Sequence, residues 1–272
     1  MNLENYFISL FNSEFIGDDA AVIDKHIYSK DAFFEGVHFK REWMNYEQIA
    51  AKAMLVNISD AIAMNAQPYY VLLSVAMPRD MSKSDMALLA KGFKSIAKNY
   101  NCEIIGGDTI SNTKLDITVT VISKSKKPLY RQGLKESHLL AYTGVLGKSA
   151  KDLKRLFRGG KIHKRSKFVN IKLREGFMKR AAPKLKAGMD ISDGLFSDLE
   201  KILKQNNLGV KFTTKIAKEV GCSGEEYELL VAFDGRDRKA VLRRAAQSRT
   251  KLTIFGKALR KRYINRCKAH HF

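Results

Sequence analysis

Cysteine, proline and tryptophan are scarce in this chain: its 272 residues include three, four and one of them. Cys102, Cys222 and Cys267 are odd in number and widely spaced, which supports neither a disulfide framework nor a CxxC metal pair, so all three are read as ordinary reduced thiols. So few prolines provide no Pro-rich linker, and no internal repeat or low-complexity tract is evident. No apolar run approaches the roughly eighteen residues of a membrane span. The start MNLENYFISLFNSEF has no cationic stretch ahead of its apolar residues, which argues against a signal peptide. Together these absences predict a soluble protein of the cytoplasm with no membrane partner. The 45% of apolar residues are enough to build one large core or two ordinary ones.

Acidic charge is missing from one half only. Residues 1–123 carry 11 Lys and Arg against 15 Asp and Glu, whereas residues 124–272 carry 38 against 13, so the net +21 is confined to the second half. A half this basic is expected to attract polyanions, either a nucleic acid or a small phosphorylated ligand. The chain has no RNA-recognition or zinc-finger signature, and its aromatic residues are not interleaved with the basic stretch, so a nucleic-acid partner is not expected.

Strand and helix patterns alternate along the chain. Residues 49–64 (IAAKAMLVNISDAIAM) are apolar on most faces, as in a buried helix, with Gln67-Pro68 closing it. Tyr70–Met77 reads as a strand, Ser84 as the cap of a helix with Leu88, Leu89, Phe93 and Ile96 at helical spacing, and Leu115–Ile122 as a half-buried strand. The second half alternates likewise, with strands at 138–142, 227–233 and 251–255, and helices at 149–157, 195–203 and 237–247. Gly106-Gly107-Asp108 and Gly188–Asp193 are expected to be loops. Residues 158–187 are basic and hard to assign, a loose connection or a helix over 169–180. The charge change at Lys124 and the loop up to Ser137 mark the domain boundary, giving 1–135 and 136–272.

Several aspartates sit beside glycine, serine or asparagine: Asp18 and Asp19 in IGDDAAV, Asp31 in SKDAFFEGVHF, Asp60 in NISDAIAM, Asp108 in IGGDT, and Asp190 and Asp193 in MDISDGL. Any one of them is explained by turn chemistry, since Asx side chains bond the local backbone, and Asp60 by a cap or by pairing with Lys52. As a set, carboxylates converging without a His/Cys cluster favour a hard cation, and Mg²⁺ characteristically bridges such groups to phosphates. Gly106-Gly107, and the TGVLG loop at 143–147 ahead of a helix, have the form of backbone amide donors to an anion, although neither matches a Walker A loop or GxGxxG. Multiple Mg²⁺ ions, amide donors and cations together are what phosphoryl transfer needs.

The ordered series IGDDAAVI, DAFFEGVHF, KAMLVNISDAIAM, IGGDT, YRQGL, YTGVLG, MDISDGL and SGEEYELL resembles the thiamine-monophosphate kinase family, over roughly residues 15–231. This family is a branch of the aminoimidazole-ribonucleotide-synthetase-like superfamily. The resemblance implies ATP- and Mg²⁺-dependent phosphorylation of thiamine monophosphate to thiamine diphosphate by direct in-line transfer, with no catalytic acid, base or protein nucleophile. It implies an α/β N-terminal domain (1–135) that binds ATP and Mg²⁺ and dimerises through its sheet, and an α+β C-terminal domain (136–272). The metal ligands it implies are Asp19, Asp31, Asp60, Asp108, Asp190 and Asp193, with Ser29 a lesser one. ATP contacts fall on Gly107, Asp108, Arg131 and Ser192, and substrate contacts on His38 and Glu225.

The chain departs from the family pattern at Lys30 (usually Thr), Lys148 (usually Asp), Glu226 (usually Asp) and Ala269 (usually an aromatic residue that packs on the thiamine rings). The alternative within the superfamily is an ATP-dependent kinase or synthetase acting on a different small phosphate.

Overall fold

The computed structural model describes residues 3–268, so Ala269 lies outside the described residues. The first half runs α1 (Leu3–Ser9), β1 (Ala21–Ile23), β2 (His26–Phe34), α2 (Tyr46–Ala63), β3 (Gln67–Pro78), α3 (Lys83–Asn99), β4 (Glu103–Asn112) and β5 (Asp116–Lys124). Its strands form a sheet in the order β1-β2-β5-β3-β4, in which only the β3–β4 pair is parallel, as expected for strands linked through a crossover helix. α2 begins in a capping box between Asn45 and Gln48. α3 begins in another between Ser82 and Asp85, two residues before the Ser84 expected from the sequence, because Asp85 reaches back to the Ser82 amide.

The second half runs β6 (Leu139–Thr143), α4 (Lys148–Phe157), α5 (Glu175–Ala181), β7 (Leu185–Ile191), α6 (Leu195–Gln205), β8 (Gly209–Phe212), α7 (Lys218–Gly221), β9 (Glu228–Phe233), α8 (Arg238–Gln247) and β10 (Leu252–Leu259). The strands form an antiparallel sheet in the order β7-β9-β6-β10-β8. Along β9 alternate residues serve two cores, which is why all six are buried. Leu229, Val231 and Phe233 face α2, α5 and α8, while Leu230 and Ala232 face α6.

α2 lies between the two sheets, packed on β2 and β5 on one side and on β7 and α5 on the other. This explains its apolar character all round: 13 of its 18 residues are buried, and one continuous core joins Phe33, Val71 and Val119 of the first sheet to Leu229 and Phe233 of the second. The other face of the first sheet is open, with Tyr28, Tyr70, Leu72 and Ile110 exposed on it.

Four local expectations are corrected. Gly106-Gly107-Asp108 lies within β4, where a Cβ on Gly107 would fall 1.6 Å from the Leu73 carbonyl oxygen; its glycine is required by the approach of the neighbouring strand. The MDI of MDISDGL completes β7, so Asp190 is a strand residue and the turn starts only at Ser192. Residues 158–174 contain no helix, and the only α-helix in the basic connection is the short α5. Cys222 and Cys267 form a disulfide with Cα atoms 5.5 Å apart. Their separation of 45 residues gave no hint of a pairing that the fold creates by returning the chain's end to α7. Cys102 is a free thiol, as expected. Among the described residues no helix is long and apolar enough to cross a membrane.

Candidate active site

A cavity of about 470 Å³ opens where α2 and the first sheet meet the second sheet. Five of the six predicted carboxylates line it, each delivered by a different element or junction: Asp19 from the loop before β1, Asp31 from β2, Asp60 from the last turn of α2, Asp190 from the end of β7, and Asp193 from the turn before α6. Arg131, Ser192, His38 and Glu225 line the same cavity.

Direct contacts tie these pieces together. Arg131 donates through its Nε to Asp19 Oδ1 at 3.0 Å and through its backbone N–H to Asp18 at 2.6 Å, while the other Asp19 oxygen accepts the Asp190 N–H at 3.1 Å. The Ser59 hydroxyl donates to Asp190 Oδ2 at 2.8 Å. Lys201 bridges Asp193 at 2.6 Å and the buried Asp198 at 2.8 Å. Phe34 N–H donates to His38 Nδ1 at 3.0 Å, so a neutral His38 carries its proton on Nε2.

Burial together with neighbouring acids makes the carboxylates costly. Asp60 and Asp190 are both raised well above the ordinary carboxylate range, first by burial and then by neighbouring acids, Asp31 foremost for Asp60 and Asp19 for Asp190. Asp198 is pushed up to about 6, chiefly by burial, with Lys201 opposing. Carboxylates whose close neighbours are other carboxylates are a donor set for a hard divalent cation, all oxygen and no sulfur or imidazole. Among the described residues no three acidic, histidine or cysteine side chains form a ready-made metal cage.

Three predicted residues are not in the cavity. Ser29 is buried on β2 with its hydroxyl bonded to the Asn57 carbonyl at 3.2 Å. Gly107 and Asp108 are on the exposed edge strand β4. Their register through β3 and β5 puts them opposite Asp31 and Ala32 but three strands away, roughly 14 Å at ~4.8 Å per strand. Lys30, one of the departures, extends along the sheet face opposite Asp31 and Phe33, where its Nζ is 3.2 Å from the Thr118 hydroxyl.

Two of the amides at the TGVLG loop already have a partner within the protein. The amides of Gly147 and Ser149 at the start of α4 are taken by the protein's own Glu226, at 2.7 and 3.2 Å, so the anion they bind is internal. Ser223 also donates to Glu226, and Lys167 sits 2.8 Å from its second oxygen. Lys148 is exposed at the first position of α4. Sequence reasoning passes over Lys201, Tyr227 and Phe168. Lys201 has a visible signal, standing three residues after Asp198, a spacing that puts the two on one face of α6. Phe168 has none, since it lies in the stretch without periodicity. Lys52 pairs with Glu225, not with Asp60, because two turns of helix separate it from the latter.

Residues 17–124 match the family model described as AIR synthase related protein, N-terminal domain. The chain is 34% identical over 215 residues to thiamine-monophosphate kinase of Bacillus subtilis, spanning 72% of this chain and 66% of that protein. It is 32% identical over 225 residues to the enzyme of the same name from Leptospira interrogans, spanning 75% of this chain and 73% of that protein. The chain belongs to the thiamine-monophosphate kinase family. Solved structures agree at the level of the fold. The thiamine monophosphate kinase of Aquifex aeolicus superposes with a TM-score of 0.80 at 23% identity, covering 94% of this chain and 92% of that one. The structure described as AaThiL complexed with AMPPCP and TMP gives 0.83 at 24%, covering 94% and 89%. A HypE–HypF complex chain gives 0.81 at 16%, covering 95% and 93%, which shows a shared architecture and nothing more.

Proposed function

We propose that this member of the family phosphorylates thiamine monophosphate to thiamine diphosphate with ATP, the last step of thiamine diphosphate formation, and that it works in the cytoplasm with several Mg²⁺ ions. The observation that carries this reading is the single cavity into which five carboxylates and Arg131 converge from both sheets. Relatives named for this activity, and a fold-mate described with an ATP analogue and TMP, support it.

In this reading Asp19, Asp31, Asp60, Asp190 and Asp193 hold the ions, and Ser29, buried behind them on β2, would have to give up its bond to the Asn57 carbonyl to join them. Bound there, Mg²⁺ supplies charge neutralisation between two anionic reactants. Arg131 and Ser192 hold the nucleotide phosphates, and His38 and Glu225 the acceptor. A phosphate monoester is already largely ionised near neutrality, its second pKa being about 6. No side chain is therefore assigned as acid, base or nucleophile; the protein's work is to align two phosphates and exclude water.

Residues 1–135 form the nucleotide, metal and dimerisation domain in this proposal, and 136–272 the covering domain. The homodimer explains Gly107 and Asp108. Both stand on an unpaired strand edge beside an open face bearing Tyr70, Leu72 and Ile110, and both are too far from Asp31 to serve the same site within one chain. A second copy docked on this sheet would supply them in trans. The test is ADP release by the purified protein with thiamine monophosphate, ATP and Mg²⁺, run beside other small phosphates, together with its mass in solution. Turnover only with a different acceptor overturns the assignment of substrate, and an active monomer overturns the sharing of Asp108.

A further inference from the structure

Among the described residues Lys52 is the one lysine or arginine completely withdrawn from water. It projects from the middle of α2 into apolar packing, with Nζ 3.5 Å from the centre of the Phe168 ring and 5.7 Å from that of Phe33. An ammonium group in such a place is costly, and burial pulls its pKa below the usual lysine value while Glu225 opposes that pull. A methionine of similar length would fill the same space without the cost, so packing alone does not account for a lysine. Its hydrogen bond of 2.8 Å to Glu225 Oε2 does.

Glu225 is built to be held still. Its backbone adopts a positive φ of 54°, its N–H donates to the Ser192 carbonyl at 2.6 Å, and its carbonyl accepts from the Ser149 hydroxyl at 2.8 Å. The side chain lines the cavity and is 23% exposed. With Oε2 clamped by Lys52, Oε1 is left without a protein donor among the described residues. Asp31, Asp60 and Asp190 line the same cavity, so a glutamate side chain here without a cation to hold it would be repelled toward solvent. Tyr227 lies beside it as a buried neutral phenol.

We propose that Lys52 is a positioning residue for acceptor recognition. It holds the Glu225 side chain in one orientation, so that the carboxylate oxygen with no protein donor among the described residues selects an acceptor with a cationic or N–H-rich ring system, while Arg131 and Ser192 serve the nucleotide side of the cavity. This rests on Glu225 being the acceptor contact of the functional reading above.

The test compares Lys52→Met, Lys52→Gln, Glu225→Gln and the Lys52→Met/Glu225→Gln double variant by steady-state kinetics, with thermal unfolding as a check on folding. Lys52→Met is expected to raise KM for thiamine monophosphate at least about tenfold while KM for ATP stays within about twofold, the signature of lost ground-state binding to one substrate. Lys52→Gln keeps an N–H donor, one bond shorter in reach, and is expected to recover part of that loss. The double variant is expected to be no worse than Glu225→Gln alone, because Lys52 acts through Glu225. An unchanged acceptor KM in Lys52→Met, equal rises for both substrates, or multiplying effects in the double variant each overturn the proposal. If Lys52→Met does not fold, the same criteria apply to Lys52→Gln, with an unchanged acceptor KM overturning it. If the unaltered protein turns over a different acceptor, the functional reading fails by itself, and the same KM comparison is made with that acceptor.

Discussion

Two groups of acids, Glu228 at the start of β9 and Asp60 with Asp190 at the cavity, are managed in opposite ways. Glu228 is 1% exposed, yet Arg174 grips both of its oxygens at 2.7 and 2.6 Å, Lys167 lies at 2.9 Å, and Thr143 donates at 2.8 Å. Burial pushes its carboxyl upward, but the Arg174 hydrogen bonds and the two nearby cations hold it below the ordinary value. Asp190 is also withdrawn from water and Asp60 is half-buried at the cavity, but their principal neighbours are other carboxylates, and both are held well above that value. The first cluster has completed its charge balance within the protein and is architectural. The second is balanced only in part, by Arg131 and Lys201, and is left ready for cations and phosphates that arrive with substrate.

The largest effect should come from neutralising the unbalanced group. Asp31→Asn and Asp190→Asn are expected to cut turnover by at least about a hundredfold, more than about 2.7 kcal/mol of transition-state stabilisation, with circular dichroism and melting temperature preserved. Normal turnover in both would remove these residues from the site and dissolve the contrast. Glu228→Gln should do the reverse. It strands Arg174 in a largely buried place and leaves Lys167 with Glu226 alone, and is expected to lower stability by about 3 kcal/mol in urea unfolding. A variant as stable as the parent would show that the Glu228 cluster is not the architectural one.

A third prediction sharpens the opposition within one side chain. Because Asp60 is destabilised by its neighbours, Asp60→Asn should raise the melting temperature of the metal-free protein, by the equivalent of about 1 kcal/mol, while reducing activity. A fall in both would mean that Asp60 is simply a structural residue. The smallest effect concerns pH. Asp198, held at about 6 by burial, binds a proton in the fold more tightly than in the unfolded chain, whose value is 3.8. A raised acid contributes stability that is gained as pH falls, so with magnesium chelated the melting temperature should climb between about pH 7 and pH 5 before general acid unfolding intervenes. The Asp198→Asn variant should lose only part of that slope, because Asp60 and Asp190 are raised further and contribute the rest, and an unchanged slope would assign all of it to those two.

Much of this was legible in the chain itself, for reasons particular residues make clear. The apolar run around Met54 and Ile58 announced a helix covered on all sides, and the alternation over Leu115–Ile122 a sheet with one buried face, because periodicity is a direct record of which faces meet water. The aspartates stood out because carboxylates beside glycine and within apolar stretches have few bland explanations taken together. What was not legible involved partners distant in sequence. The Cys222–Cys267 pairing and the capture of the TGVLG amides by Glu226 depend on which segments cross in space, and the aperiodic stretch holding Phe168 gave no pattern to read.

The sequence by itself determined the alternation of strands and helices, the kinds of side chain available and the family to which the chain belongs, because those follow from local periodicity and from the order of short motifs. Only the tertiary structure decided that five of six carboxylates share one cavity while Asp108 stands apart on a strand edge, and that Lys52 answers Glu225 from 173 residues away. Charge and burial are properties of a neighbourhood, and a neighbourhood exists only once the chain has folded.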